Sequence, residues 1–480
     1  MSDLQLKTSG GYRTIEKPRL DQFRAQLRGD IVVPGDAGYD AARTVWNAMV
    51  DKRPALIVRC AGAGDVLRSI RFAREHDAEV AVRGGGHNVA GKSVCDDGFL
   101  IDLSSMKGTH VDRARGTIRA QLGLRLGEFD RETQAFGLAT TMGVFSDTGI
   151  AGLTLGGGYG WLNGKWGLAC DNVLSADVVT AEGQFVNASA EENEDLLWAV
   201  RGAGANFGVV TSLEYQLHPV STVLGGLVLH PLSRGEEVLR FFHEFSSTCA
   251  DEVSTLALML TAPDGSPAVG IAACYCGPMD DGERALKPLR TFGPPVADLI
   301  APRSYVEMQS MFDAAAVPGQ FNYWKTSLMR EVTAAVSDVL LEQARRRPTP
   351  TSVIYLQQQH GAASRRQPTD TAYPHRFYHY DCGPWAIWQD AADTEKCIRW
   401  ARECWQALTP FYEPSVYVNA LDGHLVEMDA DPTMLGDRAQ DRIRAAYGPN
   451  YDRLVALKAK YDPTNFFHLN ANIMAPVAGV

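Results

Sequence analysis

Apolar residues in the first part of the chain follow two periods, that of short strands and that of amphipathic helices. The predicted elements are strands at 55–59, 79–82 and 99–103, a helix that opens at 61–65, helices at 124–136 and 193–200, and a hairpin turning at 182–183. Val66, Ile70 and Ala73 share one face of the first helix, and Asp65 can cap it. The strand at 99–103 alternates and is expected to be half-buried. The order of elements is typical of a nucleotide-binding α/β unit.

From Pro219 to about residue 405 the texture changes, because glycine clusters disappear and strands alternate with longer helices. The predicted strands are 224–230, 255–261, 269–274 and 352–358, and the predicted helices are 234–247, 332–346 and 393–408. This pattern predicts a mostly antiparallel sheet with helices on one face.

Three consecutive glycines, Gly84 to Gly86, follow the strand at 79–82 and precede His87. Without Cβ atoms, the amides of such a bend can approach a diphosphate closely, and positive φ costs little. Open α/β units usually bind ligands at this end of a strand. Taken alone, the loop is compatible with an ordinary turn carrying a solvated histidine or with a flavin-binding loop.

A second glycine-rich stretch spans 149–167 and is too rich in glycine for an ordinary helix or central strand. It is either a loop-rich connection or a second wall of amides along an elongated ligand with a diphosphate and a flat ring. The dinucleotide fingerprint GxGxxG does not occur, since the similar stretch 202–208 is one residue too long. A Rossmann-type NAD site is therefore weakly supported.

Composition excludes several classes of function. A chain of 480 residues predicts two or three domains, and a net charge of −11 disfavours nucleic acid as a partner. The nine cysteines are odd in number and form no CxxC pair, which disfavours a disulfide framework and a metal site of the zinc type. We expect no metal.

Targeting signals are also absent from the sequence as we interpret it. The first residues contain no apolar core of a signal peptide, and no apolar run is long enough to span a bilayer. We therefore expect a cytoplasmic protein with no membrane partner. Its oligomeric state stays open.

Five motifs in collinear order resemble the berberine-bridge-enzyme-like family of FAD-linked oxidases, which belongs to the vanillyl-alcohol-oxidase group. They are RGGGH at 83–87, GIAGLTLGGGYGW at 149–161, GLACDNV at 167–173, DLLWAVRGAGANFGVVT at 195–211, and the C-terminal segment 457–473. Each motif is weak alone, but the five together cover nearly the whole chain.

The resemblance implies an α+β fold with a two-part, PCMH-type FAD-binding domain and a substrate domain of antiparallel sheet covered by helices. The implied boundaries are 1–218 for the FAD-binding domain, 219–405 for the substrate-binding domain, and 406–480 for a segment that returns to the FAD-binding domain.

The resemblance further implies FAD as the cofactor, joined through the flavin 8α-methyl to His87. The implied cofactor-binding residues are Arg83, Gly84, Gly85, Gly86, His87, Asn88, Gly91, Thr148, Gly149, Gly152, Thr154, Gly157, Val210, Asn470 and Asn472. For Asn470 and Asn472 the alternative is that their amides satisfy backbone turns. In the family, the residue at Thr148 helps decide whether oxygen reaches the reduced ring, and threonine does not settle that question.

Many relatives carry a second covalent link to a cysteine upstream of the glycine turn. Aligning that turn places Phe145 at the position of this cysteine, so we expect a single, histidyl attachment. Cys170 and Cys95 are elsewhere and are interpreted as small buried thiols.

Oxidation of a C–H bond beside O–H or N–H needs a hydride acceptor and a proton acceptor. Tyr417 and Asn419 match a Tyr-x-Asn motif that the family places beside the flavin, which implies Tyr417 as the base and Asn419 as its orienter. A tyrosine has an ordinary pKa of about 10, so its environment would have to lower the pKa. Without the resemblance, Tyr417 is more simply a core tyrosine in a strand.

Plant relatives carry Glu or Gln on the strand that follows a Pro-His-Arg sequence, which occurs here at 374–376. Placed by eye, Cys382 or Gly383 stands at the acid's position, so we expect the carboxylate base of the alkaloid-oxidising relatives to be absent, which argues against amine oxidation with ring closure. Trp166 is a candidate for the substrate pocket, with packing as the alternative.

These expectations favour an oxidase that acts on a hydroxyl-bearing sugar or natural product, a small-molecule substrate, with molecular oxygen as acceptor and hydrogen peroxide as product. A flavin-dependent dehydrogenase, an oxidative cyclase of a secondary metabolite, and a flavin-binding protein without turnover stay open as alternatives.

Overall fold

The structure, a computed structural model, describes residues 3–421 and 435–475 and contains two units, each built around its own hydrophobic core. The strands of the first unit are Leu4–Thr8, Gly11–Ile15, Asp30–Val32, Leu56–Arg59, Val80–Arg83, Phe99–Asp102, Thr109–Asp112, Thr117–Gln121, Leu138–Ala139, Val173–Val179, Phe185–Ala188, Val209–Gln216 and His218–Pro219. Its α-helices are Lys17–Arg24, Tyr39–Arg43, Ala63–Glu75, Leu126–Gln134, Ile150–Leu155, Asn163–Trp166, Glu194–Ala203, Leu435–Tyr447 and Tyr451–Tyr461.

The second unit occupies the middle of the chain. Its strands are Thr222–Pro231, Val253–Thr261, Pro267–Tyr275, Ala297–Asp298, Ala301–Ser304, Phe321–Trp324, Ser327–Met329, Val353–Gln359 and His379–Trp388. Its α-helices are Gly235–Thr248, Met279–Thr291, Tyr305–Gln309, Ala334–Arg345, Ala362–Arg365 and Thr394–Leu408.

A four-stranded sheet in the first unit carries the first glycine loop. Its strands Leu56–Arg59, Phe99–Asp102 and Val80–Arg83 are parallel, with Phe99–Asp102 in the middle. All four residues of that middle strand are buried. The expectation of a half-buried strand was wrong, because an inner strand of a parallel sheet is covered on both faces.

The first predicted helix forms as Ala63–Glu75, and its expected apolar face of Val66, Ile70 and Ala73 is buried. Asp65 lies inside the first turn rather than at the cap position. Its carboxylate accepts hydrogen bonds from the backbone N–H of Ala61 at 2.9 Å and from those of Arg28 and Gly29, which stand just before the strand Asp30–Val32. The Asp65 side chain therefore joins the first turn of the helix to the segment before the strand Asp30–Val32, instead of capping the helix.

The second unit is a nine-stranded sheet in which every recorded pair of neighbouring strands is antiparallel. The long helices Gly235–Thr248, Ala334–Arg345 and Thr394–Leu408 bury their apolar residues with those of the sheet in one core. The fold is thus the expected α+β arrangement of a two-part first domain and a helix-covered antiparallel sheet.

The side chains of this sheet alternate between two environments. Ala257, Leu356 and Cys382 lie in the helix-covered core, whereas their neighbours Tyr355 and Asp381 line a cavity on the opposite face. Because successive residues of a strand point to opposite faces, one run of sequence builds both the core and the cavity wall.

After the second unit the chain returns to the first. Leu408 at the end of the last long helix belongs to the second core, whereas Val416 and Leu421 belong to the first. Tyr412 still packs against the second core, so the chain crosses between residues 412 and 416 rather than at 406.

A buried ion pair fixes the returning segment. Lys458 donates to Asp462 at 2.6 Å and to the backbone oxygens of Asn206 and Phe467 at 3.0 and 2.9 Å. Asp462 also accepts from the backbone N–H of Phe466 and Phe467. Both charged side chains are fully buried, so their mutual pairing and these backbone partners offset the cost of desolvation.

The described parts of the chain, 3–421 and 435–475, lack both a membrane-spanning helix and a metal-binding group of side chains. They contain no helix long and apolar enough to cross a membrane. They also contain no group of three or more His, Cys, Asp or Glu side chains placed to hold a metal ion.

The first testable prediction concerns Asp130, which is fully buried in the helix Leu126–Gln134 and has no hydrogen-bond partner for either carboxyl oxygen in the described structure. Burial raises the pKa of Asp130 to about 7, and the nearby Gln309 amide opposes this only in part. The unfolded chain loses that proton near pH 4, so the free energy of unfolding should fall as the pH rises from about 4 to 7.

Asp130→Asn should remove this dependence of the free energy of unfolding on pH. Relative to the original protein, we expect its stability advantage to grow by about 2–3 kcal/mol between pH 5 and pH 7 and to level off above that. Thermal unfolding at a series of pH values measures it, with Asp338→Asn on an exposed helix position as the control. An advantage that does not change with pH would contradict the prediction.

Candidate active site

A cavity of about 450 Å³ lies between the two units. One wall consists of the two glycine loops of the first unit, and the opposite wall consists of the open face of the antiparallel sheet. The turn at Tyr417 and Asn419 closes one side, and Phe467 to Asn470 of the returning segment contribute to another.

The first glycine loop leaves the carboxyl end of the parallel strand Val80–Arg83 and enters the cavity lining at Gly84. A Cβ atom on Gly84 would lie 2.8 Å from the Cβ of Ala151 and from the oxygen of Leu122. A Cβ atom on Gly85 would lie 2.4 Å from the Cα of Gly149. Real Cβ atoms do not approach other atoms so closely, so this bend admits only glycine.

The second glycine stretch meets the first at Gly149, which stands just before the helix Ile150–Leu155. A Cβ atom on Gly149 would lie 2.6 Å from both the Cα and the N of Gly85. The two loops therefore touch backbone to backbone, with no side chain between them, and both continue into the same cavity. This contact explains why the sequence has glycine at both positions.

His87 follows the first loop and lines the cavity. The indole of Trp46 stacks on its imidazole with ring centres 4.1 Å apart and an angle of 22° between the planes. Its Nε2 atom lies 3.4 Å from Oδ1 of Asp147. The imidazole is thus held between a ring face and a carboxylate.

No cysteine stands beside His87. Phe145, at the position of the second attachment in many relatives, lines the cavity, and none of the nine cysteines does so. Cys95 and Cys170 are buried, and burial raises the pKa of each thiol to about 12. These thiols are inert at neutral pH, in line with the sequence interpretation.

Tyr417 and Asn419 both line the cavity and contact each other. Tyr417 precedes a short 3₁₀ turn, Val418–Ala420, rather than lying in a strand. The Tyr417 oxygen accepts from the backbone N–H of Gly158 at 3.0 Å and from the Asn419 amide at 2.8 Å. Asn419 also donates to the oxygen of Leu153, which fixes its orientation.

These two donors do not lower the pKa of Tyr417 below its ordinary value. Burial raises the pKa of Tyr417, and the hydrogen bonds from Gly158 and Asn419 only reduce that rise. The sequence argument required an environment that lowers this pKa, and the structure has the opposite effect. Tyr417 keeps its proton at neutral pH, which makes it a poor base and a good hydrogen-bond donor.

A carboxylate stands on the opposite wall, contrary to the expectation from the sequence. Asp381 is buried and lines the cavity, and Tyr355 donates to its Oδ2 atom at 3.1 Å. Burial raises the pKa of Asp381 to about 6, while the nearby hydroxyls of Thr326 and Tyr355 oppose the rise. The group is therefore mostly ionised at pH 7, yet basic enough to accept a proton.

Cys382 cannot occupy the acid's position, because its side chain points into the helix-covered core. Gly383, the other position chosen by eye, has no side chain. Strict alternation along His379–Trp388 would have found Asp381, since residues 381, 385 and 387 all face the cavity.

Tyrosines surround the space between these groups. Tyr159 lines the cavity, and its hydroxyl lies 2.5 Å from that of Tyr373, which donates to Gln359 at 3.0 Å. The rings of Tyr159 and Tyr417 lie 4.4 Å apart. Burial raises the pKa of Tyr159 and Tyr373 well above the ordinary value, so both stay neutral and act as fixed dipoles.

The rest of the sheet wall is apolar and aromatic. Trp324 and Trp385 pack edge to face with ring centres 5.0 Å apart, and Phe145 meets Trp385 at 5.5 Å. The remaining apolar lining from the second unit is Leu256, Leu258, Leu260, Phe312, Val353 and Ile387. Sequence analysis named none of these residues except Phe145, because nothing local distinguishes a strand facing a cavity from one facing a core.

Ten of the fifteen candidate cofactor residues line the cavity. They are Gly84, Gly85, Gly86, His87, Asn88, Thr148, Gly149, Gly152, Val210 and Asn470. Asn470 donates to the oxygen of Ala205, and its own amide oxygen is buried without a hydrogen-bond partner among the described residues.

The structure does not bring the other five to the cavity lining. Arg83 is buried and pairs with Asp102 at 2.6 Å, so it braces the strand beneath the loop. Thr154 bonds to Tyr215 at 3.0 Å in the core.

Gly91, Gly157 and Asn472 also lie outside the cavity lining. Gly91 has a φ of +66° and faces Val50, and Gly157 has a φ of +126° and faces Tyr373. Asn472 lies outside the lining residues, although its side-chain oxygen is buried and has no partner in the described structure.

Trp166 also lies away from the cavity. Its indole stacks on His218 with ring centres 4.7 Å apart, and Lys165 covers it at 5.0 Å. These contacts agree with the alternative given for Trp166 in the sequence analysis, that it serves packing.

Comparison with known proteins identifies similar chains over nearly the full length. Residues 54–189 match the family model described as an FAD binding domain, and residues 416–474 match the model described as berberine and berberine like. An FAD-linked oxidoreductase of Dictyostelium discoideum is 32% identical over 95% of this chain and 96% of its own length. The (R)-6-hydroxynicotine oxidase of Paenarthrobacter nicotinovorans is 32% identical over 93% of this chain and 97% of its own.

A solved structure gives the same result. The crystal structure of 6-hydroxy-D-nicotine oxidase from Arthrobacter nicotinovorans superposes with a TM-score of 0.83 at 31% identity, covering 93% of this chain and 98% of the other. The two-unit fold is therefore that of a known class of flavoprotein.

The residues present fit FAD. The bare backbone at Gly85 and Gly149 leaves amides where side chains would block a diphosphate or a flat ring. The buried, unpartnered amide oxygen of Asn470 at the cavity is a free acceptor for a polar ring edge.

A test of this fit is Gly85→Ala. The added methyl would push the two loops apart, so we expect FAD content to fall at least about tenfold while secondary structure is retained. The ratio of flavin absorbance to protein absorbance measures it. Gly10→Ala, at a position with nothing within 4 Å, is the matched control, and an unchanged ratio in Gly85→Ala would contradict the account.

Proposed function

The chain belongs to the berberine-like family of FAD-linked oxidoreductases, and on that premise we propose that it oxidises a largely apolar, aromatic small molecule at a carbon bearing a hydroxyl or an amine. FAD binding and oxidoreductase activity follow from the family. One observation carries the finer proposal: a buried carboxylate, Asp381, and a hydrogen-bonded phenol, Tyr417, share an otherwise apolar cavity with the glycine loops.

FAD, when bound, supplies the hydride acceptor, and the protein supplies position and proton transfer. We propose that Asp381 accepts the substrate proton. Its raised pKa of about 6 leaves it ionised at pH 7, and the hydrogen bond from Tyr355 fixes one of its oxygens. Its other oxygen, Oδ1, has no hydrogen-bond partner within the described residues and is free to receive a proton.

Tyr417 then acts as a donor rather than as the base. Two N–H groups, from Gly158 and Asn419, already point at its oxygen, so its own proton is directed to a third partner. A substrate oxygen or nitrogen in the cavity can be that partner. Asn419 keeps the role of orienter, as the sequence analysis proposed.

The sheet wall favours an aromatic substrate over a sugar. Buried hydroxyl groups need hydrogen-bond partners, and each unsatisfied one costs about 1–3 kcal/mol. From the second unit, the lining offers mainly leucines, Trp324, Trp385 and Ile387, with Asp381 and Gln357 among its few polar side chains. A sugar was one of the two substrate classes that the sequence analysis favoured, and this wall suits the phenolic or other aromatic natural product better.

Amine oxidation is also open, although the sequence analysis argued against it. That argument depended on a missing carboxylate, and Asp381 supplies one. One relative is named (R)-6-hydroxynicotine oxidase, and a molecule of the nicotine type, with an aromatic ring and a separate amine, would suit the largely apolar cavity that carries Asp381.

We further propose covalent attachment of FAD through His87 alone. His87 lines the cavity beside the glycine loops, while Phe145 replaces the cysteine of doubly attached relatives. Molecular oxygen is the proposed electron acceptor. Hydrogen peroxide formed in equal amount to substrate consumed would support an oxidase, and turnover only with an artificial acceptor would indicate a dehydrogenase.

Acid precipitation tests the attachment. The pellet of the original protein should be yellow, because a covalent flavin stays with the denatured chain. His87→Ala should give a colourless pellet and a yellow supernatant, since FAD can still bind between the loops. A pellet that stays yellow in His87→Ala would mean that another residue holds the flavin.

Kinetics against pH test the proton acceptor. For the original protein, kcat should rise with pH through about 6, because Asp381 must lose its proton before it can accept another. Asp381→Asn should lower kcat by about 10²–10⁴-fold and abolish this rise. Tyr417→Phe should lower kcat about tenfold and retain it.

Tyr355→Phe is the matched control for this series. It removes one of the two hydroxyls, those of Thr326 and Tyr355, that oppose the rise in the pKa of Asp381, so the ascending limb should move to higher pH. If Tyr417→Phe abolished the limb and Asp381→Asn retained it, Tyr417 would be the base, as the sequence resemblance implied.

A further inference from the structure

We propose that Asp147 is the proton acceptor that enables His87 to bond covalently to the flavin, with Trp46 as the surface that holds the imidazole in place. This inference depends on the proposed attachment through His87. Neither Asp147 nor Trp46 has a role in the proposed oxidation of the substrate.

The two nitrogens of His87 have different surroundings. Nε2 is buried, lies 3.4 Å from Oδ1 of Asp147, and forms no hydrogen bond within the described structure. The imidazole as a whole lines the cavity, with 14% of its side chain exposed. Since Nε2 is enclosed on the Asp147 side, Nδ1 is the nitrogen left to meet a ligand in the cavity.

Asp147 is held rigidly in the loop that presents it. The backbone N–H of Ser146 donates to Asp313 at 2.8 Å. The oxygens of Ser146 and Thr148 accept from the N–H of Gly127 and Leu126 at 2.7 and 2.9 Å. The carboxylate itself is only 23% exposed, and its Oδ2 atom is buried without a partner in the described residues. A buried, unsatisfied carboxylate oxygen next to an imidazole is available to take up a proton.

Trp46 completes the arrangement from the other side. Its ring is 5% exposed and stacks nearly parallel to the imidazole, and its backbone N–H donates to the oxygen of Gly86 at 3.0 Å. Trp46 therefore restrains rotation of His87 about its side-chain bonds. The imidazole can present Nδ1 to the cavity only while Nε2 faces Asp147.

The chemistry of attachment requires such a proton acceptor. A C–H bond of the flavin 8-methyl group breaks, and a bond forms between that carbon and Nδ1. Substitution at Nδ1 makes the imidazole cationic until Nε2–H passes its proton to Asp147. Asp147 then releases that proton to solvent. The flavin would take up the two electrons of the broken C–H bond together with two protons, which balance the methyl and imidazole protons that were lost. Molecular oxygen, the acceptor in the proposed function, removes both electrons and protons as hydrogen peroxide.

This arrangement follows the logic of other activated histidines. A carboxylate on the far nitrogen orients the ring, fixes its tautomer and stabilises the cation that forms when the near nitrogen reacts. An amide of the same shape cannot accept the proton. The carboxylate charge, rather than the volume of the side chain, should therefore determine the rate of attachment.

The experiment measures the rate of attachment and needs no substrate. Full-length protein from riboflavin-starved cells is incubated with FAD in air, samples are quenched in acid, and flavin fluorescence of the denatured chain is followed on a gel. Asp147→Asn should attach FAD on the order of 10²-fold more slowly than the original protein, and Asp147→Glu should recover much of the rate. Quenching of FAD fluorescence on binding confirms that each variant still holds the cofactor.

Two variants of Trp46 test its role in holding the imidazole, and a third variant is the control. Trp46→Phe should attach FAD nearly as fast as the original protein, because a ring face remains, whereas Trp46→Leu should be slow. Asp338→Asn is the matched control, since it makes the same carboxylate-to-amide change at an exposed helix position away from the cavity, and it should attach FAD at the original rate.

The outcomes separate this inference from the proposed attachment. If the original protein bound FAD without any covalent product, the attachment itself would be refuted. If the original protein and Asp147→Asn attached FAD equally fast, or if the Asn and Glu variants were equally slow while still binding FAD, the role of Asp147 as proton acceptor would be overturned.

Discussion

The contact between Gly85 and Gly149 is the constraint on which the site depends. Two loops from distant parts of the sequence meet there backbone to backbone, and a Cβ atom at either position would force them apart. The contact brings His87, which follows the first loop, next to Asp147, which precedes the second. It also presents a strip of amides to the cavity, where a diphosphate and a flat ring can lie without steric conflict. Recognition of FAD and the surroundings of His87 therefore have one geometric origin.

The opposite wall follows from a different rule, the alternation of side chains along an antiparallel sheet. One set of alternate residues packs under the long helices, and the other faces the glycine loops, so stability and chemistry are encoded in the same strands. The cavity face is apolar apart from a few groups, which makes Asp381 prominent. Its burial raises its pKa, and its side chain lines the cavity that we propose as the substrate site. Burial also keeps Tyr417 protonated at neutral pH. These opposite states support the proposed roles of Asp381 as proton acceptor and Tyr417 as hydrogen-bond donor.

Sequence reasoning succeeded where the chemistry is local. The first glycine run and the histidine directly after it line the cavity, because consecutive residues of one bend stay together. Tyr417 and Asn419 also line it, but only the family resemblance pointed to them. Arg83, Thr154 and Trp166 are elsewhere, since their neighbours Asp102, Tyr215 and His218 come from other parts of the chain. Asp381 and the tryptophan wall were missed for the same reason. The choice between the two faces of a strand depends on the register, and a shift of one residue exchanges core and cavity.

The most direct test of the central claim is a crystal structure of the flavin-loaded protein. The account predicts that the ring lies between the Gly85–Gly149 contact and the sheet wall, bonded to Nδ1 of His87, with Asp381 and Tyr417 on the substrate side of the ring. A ring placed elsewhere, or bonded to a residue other than His87, would contradict the attachment. A ring that turned its reactive edge away from Asp381 would contradict the proposed division of proton transfer.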